Sequence, residues 1–163
     1  MSEKYFDRKE NKEKLNRIVA GWIGTSYHHM GASRGGVDCT KFVALVLVEM
    51  AILSDFEKNI YYPSDWYMHG NEEICLNSIE RNLTKYLLRE FYVEQYPFDF
   101  SKIEFGDLLC IAKNRKGFVN HTALYLGDNK IAHCVSGAGV FIGQFSFAYS
   151  QRTKKIFRLF YRD

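Results

Sequence analysis

YHHMGASRGGVDCTKF, residues 27–42, is a polar loop interrupted by three glycines that runs directly into the apolar stretch FVALVLV, residues 42–48. Cys39 stands at the junction. If the apolar stretch is helical, Cys39 lies in its first turn, where unpaired backbone N–H groups and the macrodipole favour negative charge. Such a setting lowers a thiol pKa and supplies the nucleophilic thiolate. The plainer alternative is a small buried apolar residue, the usual fate of a free cysteine.

Two helices flank this junction. Upstream, Leu15, Ile18, Val19 and Trp22 recur at the spacing of one helical face, which predicts an amphipathic helix over residues 8–22 ended by Gly21 and Gly24. Downstream, residues 39–53 are apolar on all sides, as expected of a helix at the centre of the protein. A nucleophile on that helix would be rigidly held. Residues 54–100 read less clearly. They hold an aromatic loop at 61–69, then helical periodicity over 72–90 with Ile74, Ile79, Leu83, Tyr86 and Leu87 inward, and Pro97 breaking the chain before the sheet.

From residue 105 the period shortens to that of strands. Residues 107–112, 121–126, 130–135, 140–145 and 156–161 are the expected strands, and Gly127-Asp128-Asn129 the hairpin turn between the second and third. The basic residues around the last strand, Lys154, Lys155, Arg158 and Arg162, read as protection of a sheet edge. Helices followed by antiparallel strands make an α+β fold. At 163 residues, with no composition break or repeat, one domain over residues 1–163 is expected.

Composition excludes several function classes. Lys and Arg exceed Asp and Glu by 22 − 19 = 3, too small an excess for nucleic-acid binding. The longest apolar run is far short of a bilayer span. The first ten residues carry no apolar signal segment, so the expectation is a chain made in the cytoplasm, without membrane insertion, that reaches any extracellular target through a separate device. Cys39, Cys75, Cys110 and Cys134 form no Cys-x-x-Cys pair, which argues for free thiols and against a zinc site. No metal or other cofactor is expected.

A thiol nucleophile needs a base, and the hairpin offers one. With a three-residue turn at 127–129, Leu126 faces Lys130 and His133 faces Ala123, one same-face position from His121. His121 is then the candidate base and His133 its orienter. A two-residue turn would place the two rings on opposite faces and dissolve the pair. His28 and His29 lack a ligand-spaced acidic or Cys partner and read as loop or pocket wall. His69, with Asp65 and Trp66, reads as fixing the aromatic loop or rimming a groove. Cys134 points to the face opposite His133, into the core, and Cys75 and Cys110 read as packing residues.

These motifs resemble the NlpC/P60 cysteine peptidases, whose fold is papain-like. The resemblance is carried by Tyr27-x-x-x-Gly31, by Asp38-Cys39-Thr40-x-Phe42, by Phe105-Gly106-Asp107-Leu108, by His121-Thr-Ala-Leu-Tyr-Leu-Gly127-Asp128, and by Ile131-Ala132-His133. Residues 21–29 and 62–69 narrow it to the phage-type branch, the wall peptidases of tailed phages and gene-transfer particles. The resemblance implies Cys39 as nucleophile, His121 as general base and His133 as the residue orienting it. It implies Tyr27 and the Cys39 N–H as the oxyanion site, and a contact from Asp38 to a free amino group of the substrate, although Asp38 reads equally well as an N-cap. Thr40 stands where the family carries Ser. His29, Trp66 and His69 are candidates for the groove. Met30, Lys41 and His29 depart from the family's Gly, Gly and Trp.

The function so implied is a peptidoglycan hydrolase, a thiol endopeptidase cleaving stem peptides at the bond between D-glutamate and the following diamino acid. Its partners would be the stem peptide and phage-tail or secretion-system proteins. The alternatives are an amidase or acyltransferase using the same scaffold, and a non-catalytic tail-tip module.

Overall fold

Leu15 and Val19 are wholly buried and Trp22 nearly so, which is the core face of α1, Lys9–Trp22. This computed structural model describes residues 2–58 and 61–163. Gly21 lies inside α1, and the turn out of the helix is taken by Gly24 at φ +89°. A short hairpin follows, β1 (Ala32–Ser33) and β2 (Gly36–Val37). It is drawn tight by two glycines. A Cβ on Gly31 would lie 2.5 Å from the Gly36 carbonyl oxygen, and one on Gly36 would lie 2.7 Å from the His28 Cβ.

The hairpin delivers the chain to α2, Cys39–Glu49, the apolar central helix. Phe42 and Val46 are fully buried, each stabilising the fold by about 1.5–3 kcal/mol through burial. The helix is shorter than its apolar run predicts. Ala51 turns left-handed at φ +56°, and the N–H groups of Ile52 and Leu53 both donate to the Leu47 carbonyl, at 3.0 and 3.2 Å. These carbonyl bonds close the helix end in the manner of a left-handed cap. Ile52 and Leu53 therefore enter the core from a turn.

Residues 61–69, read as a loop, contain the single-turn helix α3, Trp66–His69. The periodic segment beyond it forms α4, Ile74–Lys85, with Cys75 and Ile79 inward. It stops before residue 90 because the chain is captured by the core turn, where Leu88 N donates to Ile52 O at 3.0 Å.

The sheet has six antiparallel strands in the order β3-β8-β4-β5-β6-β7. They are β3 (Phe91–Pro97), β4 (Leu108–Ile111), β5 (His121–Tyr125), β6 (Lys130–Val135), β7 (Gly139–Gln144) and β8 (Thr153–Tyr161). Helix α5, Phe147–Arg152, joins β7 to β8. The α+β architecture is as the sequence indicates, with two corrections at one side of the sheet. Residues 91–97 are a strand, and Pro97 ends it at the sheet edge, where a missing N–H is tolerated.

The last strand is also not an edge. It lies between β3 and β4, and its basic residues serve other purposes. Arg158 forms a bidentate pair with buried Asp107, Nε to Oδ1 at 2.8 Å and an Nη to Oδ2 at 2.7 Å. Arg162 donates to the carbonyls of Arg89 and Phe91.

Alternation sorts the sheet into two faces. Leu108, Cys110, Leu124, Ala132 and Cys134 belong to the core cluster that includes α2. Leu109, Ile111, Ala123 and Ile131 form a second cluster with Phe145, flanked by Tyr149 of α5.

Candidate active site

Cys39 is the first residue of α2 and the only one of the four cysteines that is not buried. Asp38 caps the helix, its Oδ1 accepting from Lys41 N at 2.7 Å, while its Oδ2 accepts from the Tyr62 hydroxyl at 3.1 Å. The capping reading of Asp38 is therefore realised in the geometry. Lys41, the large residue at a small-residue position, is buried and its Nζ donates to Glu57 O at 2.8 Å. Met30, a second departure, adopts φ +59°, a conformation that glycine reaches without strain.

The hairpin takes the register that the histidine pair requires. Leu126 N donates to Lys130 O at 2.8 Å across the three-residue turn, and Tyr125 pairs with Ile131. His121 and His133 therefore share a face, and His121 Nε2 lies 2.9 Å from His133 Nδ1. Tyr149 stacks on His121 and meets His133 edge to face, and Phe141 packs on His133 at 4.6 Å between centroids.

Cys39 and His121 line one cleft of about 400 Å³. The residues on either side of His121 grip Cys39. Cys39 Sγ lies 3.9 Å from the Asn120 carbonyl oxygen, and the Thr122 hydroxyl donates to Cys39 O at 3.0 Å. Among the described residues His121 Nδ1 has no hydrogen-bond partner, and no side-chain nitrogen or oxygen is both fully buried and unpartnered. That nitrogen is therefore not sealed in the core, and His121 lines the cleft that holds the thiol.

Tyr27 also lines the cleft. Burial, with the nearby Cys39 and Asp38, pushes its hydroxyl up to about 12, so it remains a proton donor at neutral pH. The Thr40 hydroxyl sits between two sulfurs, 3.7 Å from Cys39 Sγ and 3.4 Å from Cys75 Sγ. His29 lies in the cleft wall with Nε2 2.8 Å from Tyr62 O. Trp66 lines it too, stacked on Phe118. His69 does not belong there: it is solvent-exposed, held 2.9 Å from Asp65 Oδ2 and outside the cleft lining. Tyr62, Lys113 and Asn120 line the cleft without having been singled out. The Asn-His order entering β5 was the available signal for Asn120.

The protonation of the pair differs from the first expectation. Burial and then the neighbouring Asp38 carboxylate push the Cys39 thiol up. Burial holds His121 well below its usual range, with Lys113 and His133 adding to the effect. Both groups are thus neutral at pH 7.

The buried histidines set a pH dependence of stability. Burial, then Lys113, lowers His133 to about 4, against about 6.5 in an unfolded chain. Above pH 6.5 both states hold it neutral and it contributes no slope. Below that, the unfolded chain binds the extra proton and stability falls with pH until the folded state also protonates near 4. The loss from His133 alone reaches roughly 3 kcal/mol. Urea unfolding at pH 7 and pH 4.5 is expected to show this fall, and a smaller one for His133→Gln. Equal falls would remove His133 as the cause.

Among the described residues, no three His, Cys, Asp or Glu side chains converge to hold a metal, and no helix is long and apolar enough to cross a membrane. The NlpC/P60 family matches residues 24–158. A relative described as "Probable endopeptidase NlpC homolog", from Haemophilus influenzae, is 25% identical over 139 residues, 85% of this chain and 57% of that protein. The chain thus spans little more than half the length of that curated relative. An NlpC/P60 family protein from Bacillus cereus has a TM-score of 0.58 at 19% identity, over 89% of this chain and 39% of that one. The NlpC/p60 domain of the peptidoglycan hydrolase SagA has a TM-score of 0.53 at 19% identity, over 89% of this chain and 96% of that domain. At these identities the two solved structures share the fold.

Proposed function

The chain belongs to the NlpC/P60 family, and from that premise we propose that it is a peptidoglycan hydrolase in which Cys39 attacks an amide carbonyl of the wall stem peptide. The observation that carries this is the shared cleft. Cys39 stands at a helix start and His121 presents a free Nδ1 there, while His121 Nε2 is engaged 2.9 Å away by His133 Nδ1.

The geometry supports a definite order of proton moves. For His121 to accept at Nδ1, its proton must sit on Nε2, which then donates to His133 Nδ1. His133 fixes that tautomer and the ring plane, as an orienting residue does. The Cys39 proton moves to His121 Nδ1 as Sγ bonds to the carbonyl carbon. The Tyr27 hydroxyl and the Cys39 N–H are the donors available to the developing oxyanion. His121 then passes the proton to the leaving amine as the C–N bond breaks, and water releases the acyl group from Cys39.

The narrower reading is cleavage between D-glutamate and the diamino acid. Asp38 contacts the free amine of the stem peptide as well as capping α2, and Thr40 holds the thiol from below. His29 and Trp66 wall the groove, in one catalytic domain over residues 1–163. The likeness of residues 21–29 and 62–69 to the phage-type branch supports delivery by a tail or a secretion device, with the components of that device as partners.

Purified peptidoglycan incubated with the protein is expected to release fragments ending in D-glutamate and fragments beginning with a free diamino-acid amine, identified by mass. Release of fragments from another bond would replace the bond assignment. A transferred acyl group would move the activity to the acyltransferases. No release at all would leave the tail-tip module as the reading.

A further inference from the structure

Lys113 is the only Lys or Arg among the described residues lining the cleft that holds Cys39 and His121. It is exposed, and its Nζ makes no hydrogen bond or ion pair with any described residue; it lies 5.7 Å from the centroid of the Tyr149 ring. Two other lysines of the adjoining segments are engaged elsewhere: Lys116 Nζ donates to the Met68 and Gly70 carbonyls, and Lys155 pairs with Glu80. The one carboxylate in the cleft wall, Asp38, accepts from Lys41 N and Tyr62 and forms no ion pair with Lys113. A free positive charge therefore stands in the cleft with no internal anion to satisfy it.

The Lys113 backbone is held by Asn120. The Asn120 side-chain oxygen accepts from Lys113 N at 2.6 Å, and the carbonyl of the same residue lies 3.9 Å from Cys39 Sγ. Asn120 is followed directly by His121. Lys113 is thus tied to the histidine side of the site, and its charge falls on both His121 and His133. Asp38 acts on Cys39, Tyr27 and Tyr62.

The reaction requires the amine that leaves to take its proton from His121 Nδ1, within about 3 Å. Whatever that amine carries extends past His121, where Lys113 stands. We infer that Lys113 pairs with a carboxylate on the leaving-amine side of the substrate, so that the enzyme prefers a stem peptide whose leaving residue keeps a free carboxylate over one in which it is amidated. An ammonium group meeting a carboxylate in a partly enclosed cleft makes a charge-assisted hydrogen bond that a carboxamide cannot match. This inference rests on the hydrolase reading above, and Lys113 acts in it as a specificity determinant rather than a catalytic residue.

The test uses two synthetic peptides with the same acyl side, differing only in a carboxylate or a carboxamide on the leaving residue. Wild type is expected to favour the carboxylate in kcat/KM by about tenfold or more, with the preference shrinking as salt is raised. Lys113→Ala is expected to bring the ratio close to one, Lys113→Glu to reverse it, and Lys113→Arg to preserve most of it. Thermal midpoints of the three variants verify that each is folded. A wild-type ratio near one, or a ratio unchanged in Lys113→Ala, overturns the inference while leaving the hydrolase intact. Cleavage of neither peptide by wild type overturns the hydrolase reading and this inference with it.

Discussion

Cys39→Ala is expected to lose all measurable release of stem-peptide fragments, a fall of roughly 10⁴-fold or more, as when the nucleophile of an acyl-transfer enzyme is removed. The fold is expected to survive, because Cys39 is only partly buried and alanine suits the first turn of a helix. His121→Ala is expected to cost roughly 10²–10⁴-fold, the range for a general base. Its loss is expected in kcat, since the base acts as the bond changes. His133→Ala is expected to lose less, since it acts through His121, and His133→Asn to recover part of that loss by offering an acceptor to His121 Nε2. Product release measured by mass on one peptidoglycan preparation checks the order. Activity surviving in Cys39→Ala would place the nucleophile elsewhere.

The second large effect lies outside the cleft. Arg158→Met is expected to destabilise the protein by about 3–5 kcal/mol, the cost of leaving a buried charge without its partner. Asp107 is 1% exposed. Its two oxygens accept from Arg158 twice, and Oδ2 also accepts from Glu104 N at 2.8 Å. Burial pushes the Asp107 carboxyl up and Arg158 pulls it back. Without the guanidinium only the Glu104 N–H bond still opposes that burial.

In a protein of this size each kcal/mol moves the thermal midpoint by about 2–4 °C, so a drop on the order of 10 °C is expected. Converting both partners to apolar residues, Asp107→Leu with Arg158→Met, is expected to cost less than Arg158→Met alone, because no charge is stranded. A midpoint unchanged by Arg158→Met would show that the pair contributes little.

How much of this was legible in the sequence depended on whether the signal was local. The histidine pair was, because strand alternation and a three-residue Gly-Asp-Asn turn together determine which residues share a face. Helix α1 and the start of α2 were legible for the same reason, through helical spacing and an Asp cap. Strand β3 was not: Phe91–Pro97 is short, ends in proline and follows a helical pattern, and its pairing with β8 bridges some sixty residues of chain. Helix α5 spans six residues, too few to show a period.

The basic residues of β8 were misread because Arg158 answers Asp107, 51 residues away, and no local pattern announces that pairing. The surroundings of the thiol were hidden in a similar way. A helix terminus can be read from residues 38–42, whereas the burial that opposes it comes from elements folded over from elsewhere. Lys113 is one lysine in a polar turn until the fold carries it to the cleft.

The central claim, that Cys39 is the reactive thiol and His121 its base, can be measured without any substrate. Iodoacetamide labelling at neutral pH, followed by peptide mass mapping over time, reads the rate at each of the four cysteines. Cys39 is expected to label first, and its labelling to slow several-fold in His121→Ala, because the imidazole no longer takes the thiol proton. Labelling of Cys75, Cys110 or Cys134 ahead of Cys39, or a Cys39 rate unchanged in His121→Ala, would contradict it.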